Sequence, residues 1–221
     1  MQTTVYLVRH SEKMHMPRWQ DRTFLDRIQP LNVNGERKAK GLLQCEEIRS
    51  ADAVRCSPFA RTLSTLRYVV EADHLPVTMD EDLKELEFGI MPGTDGPPDP
   101  SEKPPMGPKG GPKPGGFRGR QWEDRDLAAE QGESLNQAAE RMHRAVLRFV
   151  QENPGKKLLI GSHGAAICAY LSRWLPEIND AYTGQLPQPS VFRMVFDGDQ
   201  VTEVCRLVLP AEACDPASIE E

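Results

Sequence analysis

The chain has 221 residues, 27 of them Lys or Arg and 33 Asp or Glu, for a formal net charge of -6 at pH 7. That length suits one large α/β domain with its own core, and an acidic balance without a Lys/Arg stripe argues against a nucleic-acid partner. No apolar run approaches the roughly 20 residues of a membrane span, and Met1-Gln2-Thr3-Thr4 lacks the basic and apolar regions of a signal peptide, so a cytoplasmic protein without membrane contact is expected.

Val5-Tyr6-Leu7-Val8 is an unbroken apolar run, which reads as a strand buried on both faces. It ends at Arg9-His10, a cation and an imidazole at the carboxyl edge of a sheet, where ligands bind in open α/β folds. On its own the pair reads first as a strand that happens to end in polar residues, so the case for a site has to come from elsewhere in the chain. Lys13 to Gln29 is polar and irregular; Lys13, Arg18 and Arg22 in it are candidate substrate contacts, or it is a solvated connector. A helix is predicted to start at Pro30-Leu31-Asn32, capped by Asn32 or Asn34, and to run to about Ile48.

Ala53 to Cys56 is a second short strand, and Ala60 to Ala72 a helix with Leu63, Leu66, Val69 and Val70 inward. Arg61 falls in its first turn, where free N–H groups and the helix dipole attract anions. Pro76 to Met79 reads as a third strand, and Glu85 and Glu87 alternate with apolar residues beyond it. Between Pro92 and Pro114 lie nine of the 19 prolines, mixed with Gly, so about 92–120 is expected to be a mobile insertion in a single domain spanning 1–221. Arg118 and Arg120 at its exit form either a basic flap over a site or a solvated tether.

Ser134 with Gln137 makes a capping box, opening a helix to about Gln151 with Met142, Val146, Leu147 and Val150 inward and His143 exposed. Lys157 to Ile160 is a strand ending in Gly161-Ser162-His163, followed by a helix from about Ala165, so the design of the opening stretch recurs. Val191–Phe196 and Val201–Val208 flank Asp197-Gly198-Asp199-Gln200 as an antiparallel hairpin at a sheet edge. The whole is a three-layer α/β/α sandwich with a mostly parallel central sheet and an antiparallel edge strand. The five cysteines show no C-x-x-C spacing, and four read as small buried hydrophobes. The five histidines show no metal-ligand spacing, so neither a metal nor another cofactor is expected.

Three strand ends thus supply Arg9, His10, Arg61 and His163, and right-handed crossovers bring such ends to one edge. Two guanidiniums and two imidazoles around one point suit phosphoryl transfer to a histidine. The motifs Leu7-Val8-Arg9-His10-Ser11-Glu12, Cys56-Ser57-Pro58-Phe59-Ala60-Arg61-Thr62, Leu83-Lys84-Glu85-Leu86-Glu87-Phe88-Gly89, Gly132-Glu133-Ser134 and Ser162-His163-Gly164 stand in that order. In this the chain resembles the histidine phosphatase superfamily, phosphoglycerate mutase-like branch, over roughly residues 3 to 208 apart from the insertion.

The resemblance implies His10 as phosphate-accepting nucleophile, Arg9, Arg61 and His163 as the phosphate pocket, and Glu85, rather than its rival Glu87, as proton donor to the leaving alcohol. A phosphate dianion beside that carboxyl would favour its protonated form, so substrate would prime the acid. The family usually has Gly where Ser11 stands. If that position needs positive φ, Ser costs roughly 1 kcal/mol; otherwise its hydroxyl is a candidate donor to phosphate. The implied function is hydrolysis of small phosphate monoesters, with a cofactor-dependent phosphoglycerate mutase or an inactive phospho-ligand binder as alternatives. All of this requires the rings at 10 and 163 to meet and to be reachable from solvent.

Overall fold

The computed structural model describes residues 1–14, 26–90 and 116–210. The expected insertion up to residue 115, and with it Arg18 and Arg22, lies outside the described residues. Among the described residues no helix is long and apolar enough to cross a membrane.

Six strands form one sheet: β1 (Gln2–Arg9), β2 (Ala53–Cys56), β3 (Val77–Met79), β4 (Lys157–Ser162), β5 (Ser190–Asp197) and β6 (Gln200–Leu207), in the order β3-β2-β4-β1-β5-β6. The first four run parallel, and the β5–β6 hairpin adds antiparallel to β1. Alternation along the strands assigns the two faces. Val5 and Leu7 of β1 and Leu158 and Ile160 of β4 share one core with α5 (Leu135–Glu152) and α6 (Gly164–Leu171), including Met142, Phe149 and Tyr170. Tyr6, Val8 and Leu159 point the other way, onto α3 (Ala60–Asp73) and the segment after α1 (Val33–Gly41). Helices therefore cover both faces, and each fully buried Leu, Ile or Val contributes about 1.5–3 kcal/mol. The three-layer α/β/α sandwich of the sequence reading is the observed fold.

The capping box at Ser134 forms in both directions. Three local expectations differ. The helix expected to reach Ile48 is capped by Asn32 but stops at Gly41, tightens into a 3-10 turn over Leu42–Gln44 and turns at extended Cys45 into the short α2 (Glu46–Arg49). A Gly in the interior disfavours continuation, and the break buries Leu42, Cys45 and Ile48 together. Second, residues 117–120 belong to α4 (Phe117–Glu123) rather than to the insertion; Trp122 at its far end packs on the core and anchors it. Third, His143 is not exposed: it is half-buried, its ring 6.0 Å from Tyr170, while Ala145 and Phe149 take inward places and Leu147 is half-buried. The last helix, α7 (Asp180–Gln185), is capped by Asn179.

Candidate active site

The parallel registers set Arg9 level with Ser162 and Cys56 level with Gly161, so β1, β2 and β4 end at one edge. Pairing continues one step further: His10 N–H donates to the Ser162 carbonyl at 3.0 Å and Ser57 N–H to that of Gly161 at 2.9 Å. This fixes the two histidines against each other. Their rings meet edge to face, centroids 5.2 Å apart.

His10 Nδ1 lies 2.7 Å from the Ser11 carbonyl. A carbonyl only accepts, so Nδ1 carries the proton and Nε2 keeps its lone pair. Burial, reinforced by the Arg61 guanidinium, holds the His10 pKa well below the usual imidazole value. His163 is shifted the same way by burial, then by Arg61 and His10. Both rings are therefore neutral near pH 7. His163 Nε2 pairs with Ser57 Oγ at 2.8 Å, its ring rests edge-on against Phe59, and its Nδ1 is buried without a partner.

Arg61, in the first turn of α3, stacks over Phe59. Its two terminal nitrogens hold both carboxylate oxygens of Asp26, at 3.1 and 3.2 Å, and the Asp26 carbonyl at 2.6 Å. Here an expectation fails: the rings meet but are not open to solvent. His10 is 4% exposed, His163 0% and Arg61 1%; on the Arg61 side the pocket is capped by the part-exposed Asp26, so a ligand reaches the rings only by displacing that carboxylate.

Arg9 leans over Gly164, whose missing Cβ would sit 2.8 Å from Arg9 Nε, and donates to the Leu186 carbonyl. The Nε groups of Arg9 and Arg61 are both buried and unpartnered. Glu85 docks on the amino end of α6: Oε1 accepts from Ala166 N–H at 3.1 Å and from Leu86 N–H at 2.9 Å. Both N–H groups fall on one oxygen, so Oε2 is the one left to carry a proton. The nearest ligand atoms of His10, Glu85 and His163 lie within 4.8 Å of one another. That trio has a donor set a cation could use, but two guanidiniums beside it repel a cation and attract an anion.

A profile of the histidine phosphatase superfamily (branch 1) matches residues 5–207. The chain belongs to that superfamily. The Bacillus subtilis (strain 168) protein named Uncharacterized phosphatase PhoE is 30% identical over 172 residues, 77% of this chain and 76% of its own. A Cronobacter sakazakii protein named Probable phosphoglycerate mutase GpmB is 29% identical over 173 residues, covering 76% and 73%. Among solved structures, Bacillus stearothermophilus YhfR superposes with a TM-score of 0.63 at 24% identity over 90% of this chain and 94% of that one. A mycobacterial glucosyl-3-phosphoglycerate phosphatase gives 0.62 at 17% identity, covering 93% and 97%. Both share the fold of this superfamily member.

The peripheral candidates divide. The Ser11 hydroxyl donates to the Gly35 carbonyl at 2.8 Å and its N–H to Thr65 Oγ1 at 2.9 Å, so it faces helices rather than ligand. Nor is it strained: the described non-glycine residues with positive φ are His74 and Gln131. Lys13 reaches Asp26 at 3.5 Å, and its pKa is lowered by burial and then by Arg61, which puts it beside the pocket. Arg118 stacks over Phe88, 3.7 Å from the Asp180 carboxylate, on the side of Arg9. Arg120 is exposed over Phe117. Sequence reasoning missed Ser57, Asp26 and Arg141. For Arg141 a signal existed: with Ala138, Met142 and Ala145 it occupies the buried stripe of α5, where a charge requires partners.

Proposed function

We propose that the chain is a phosphomonoesterase acting on small phosphate esters through a phosphohistidine, with His10 as nucleophile, Arg9, Arg61 and His163 holding the phosphoryl group and Glu85 as the acid. The observation that carries this reading is the set of buried, unpartnered nitrogens, Arg9 Nε, Arg61 Nε and His163 Nδ1, beside the lone pair of His10 Nε2. Buried polar groups without partners are costly, and phosphoryl oxygens would satisfy these. With Ser57 donating to Nε2, the Nδ1–H of His163 becomes a donor.

His10 Nε2 attacks phosphorus while the bond to the alcohol oxygen breaks, and the proton on Glu85 Oε2 passes to that oxygen. The guanidiniums stabilise charge spread over the equatorial oxygens. Water then attacks phosphorus, Glu85 takes its proton, and the Nε2–P bond breaks to release phosphate. A mutase would need a second cationic cluster for a bisphosphate. Of the described candidates, Arg118 has Asp180 beside it and Arg120 lies on the exposed side of α4.

The test measures phosphate release from a phosphoester panel alongside 2-/3-phosphoglycerate interconversion, with acid trapping of the labelled enzyme. Phosphate release dominates and an acid-labile phosphoenzyme forms, and His10→Ala abolishes both. Dominant interconversion would replace this reading with the mutase. Ligand binding without any phosphoenzyme would replace it with a binding protein.

A further inference from the structure

Glu85 lies on a stretch with no regular hydrogen-bonding ladder. After a 3-10 turn at Glu81–Leu83 the chain runs irregular to Ile90, so, although the carboxyl itself rests on the Leu86 and Ala166 N–H groups, the main chain that carries it must be held from elsewhere. Arg141, on the buried stripe of α5, supplies five hydrogen bonds. Nη1 donates to the carbonyls of Asp82 and Lys84, each at 2.8 Å, and Nη2 to that of Glu85 at 3.1 Å. Nε donates to Glu133 Oε2 at 2.9 Å, and Nη2 also meets Glu133 Oε1. A guanidinium has five N–H groups; here every one is used, three on the backbone that carries Glu85.

Glu133 closes the arrangement. Its Oε1 accepts from Glu87 N–H at 3.0 Å, and its own N–H donates to the Glu87 carbonyl at 2.8 Å. The Arg141 and Glu133 side chains are 6% and 11% exposed. An ion pair this buried is a poor source of stability, because desolvation offsets its attraction; what it does supply is geometry. Gly89, at φ 62°, lets the segment turn away, and a Cβ there would strike the Glu130 carbonyl at 2.3 Å.

We propose that Arg141, oriented by Glu133, is a positioning residue that sets the Glu85 carboxyl at proton-transfer distance from the departing oxygen. This rests on the assignment of Glu85 as the acid under the proposed function. Neither side chain touches the reacting atoms, so the effect is confined to protonation of the leaving group. An alkoxide leaving group needs that proton; p-nitrophenolate leaves nearly without it.

The experiment compares kcat/KM for an alkyl phosphate and for p-nitrophenyl phosphate in wild type, Arg141→Lys, Glu133→Gln and Glu85→Gln, with Tm measured for each. A single ammonium cannot reproduce the five-donor fork. Misplacing a catalytic group by an ångström costs about 10²-fold, so Arg141→Lys is expected to lower the alkyl-to-aryl ratio by at least about tenfold, and Glu133→Gln in the same direction by less. Variants that lose both activities in equal proportion, or that both fail to fold, would assign the pair to folding alone and overturn the proposal. A Glu85→Gln control without leaving-group dependence would take down the acid assignment as well; a control with it leaves that assignment standing.

Discussion

Asp26 occupies the arginine fork that a phosphoryl group would use. Its two carboxylate oxygens lie 3.1 and 3.2 Å from the terminal nitrogens of Arg61, and its Oδ1 is also 3.5 Å from Lys13 Nζ. A dianion entering the pocket has to displace this carboxylate, so Asp26→Asn is expected to tighten anion binding. Hydrogen bonds involving a charged group are worth about 1.5–3 kcal/mol against about 0.5–1.5 for neutral ones, a difference of about 1–1.5 kcal/mol. The Asp26 side chain is 37% exposed, and solvent screening reduces that difference to about 1 kcal/mol at most. One kcal/mol is about fivefold in affinity. The inhibition constant for inorganic phosphate, measured by competition and by calorimetry, is therefore expected to fall about fivefold. Added salt should narrow the gap between the two proteins, because screening weakens the wild-type contact as well. Weaker phosphate binding in the variant would refute the reasoning, since it would make Asp26 a support for Arg61 rather than a competitor.

Two further outcomes follow from the same geometry. In Gly164→Ala the new methyl would lie 2.8 Å from Arg9 Nε and 2.9 Å from its Cζ; displacing one charge-assisted contact costs about 1.5–3 kcal/mol, so kcat/KM falls about 10- to 100-fold while the melting temperature moves little. The neutral histidines make stability depend on pH. Both folded pKa values are depressed by burial, so below about pH 6.5 the unfolded chain binds protons that the folded chain refuses. Stability is then full above about pH 6.5 and falls toward acid by up to about 1.4 kcal/mol per pH unit for each ring, until the folded values are reached. Denaturant titrations from pH 7.5 to 5 check this, with a double His10→Ala, His163→Ala variant expected to flatten the slope; an unchanged slope would contradict the neutral assignment.

The residues proposed to hold the phosphoryl group were legible in the sequence because their placement rule is local. Arg9, His10 and His163 each end a run of apolar residues, Arg61 opens a helix after such a run, and parallel pairing then brings those ends level. The Ser134–Gln137 box likewise declares itself within four residues. The helix break after Gly41 was not legible, because Cys45 turns there to bury Leu42 and Ile48 against distant strands. Nor was the fate of Ser11, whose hydroxyl serves a carbonyl 24 positions away.

Arg141 marks where a purely local reading stops. Its partners are mostly main-chain carbonyls, and every residue has one, so no sequence pattern names which carbonyls a guanidinium will meet. The one trace it leaves is negative: a permanent charge on the apolar stripe of an amphipathic helix cannot stay unpaired. That trace points to a buried acceptor set without saying whose, and the nearby Glu133 satisfies only two of the five N–H groups. The other three go to the irregular segment carrying Glu85, the one candidate catalytic residue whose own main chain lies at neither a strand end nor a helix turn. A group positioned by the sheet needs no such clamp, whereas a group on a stretch without its own ladder has to borrow one.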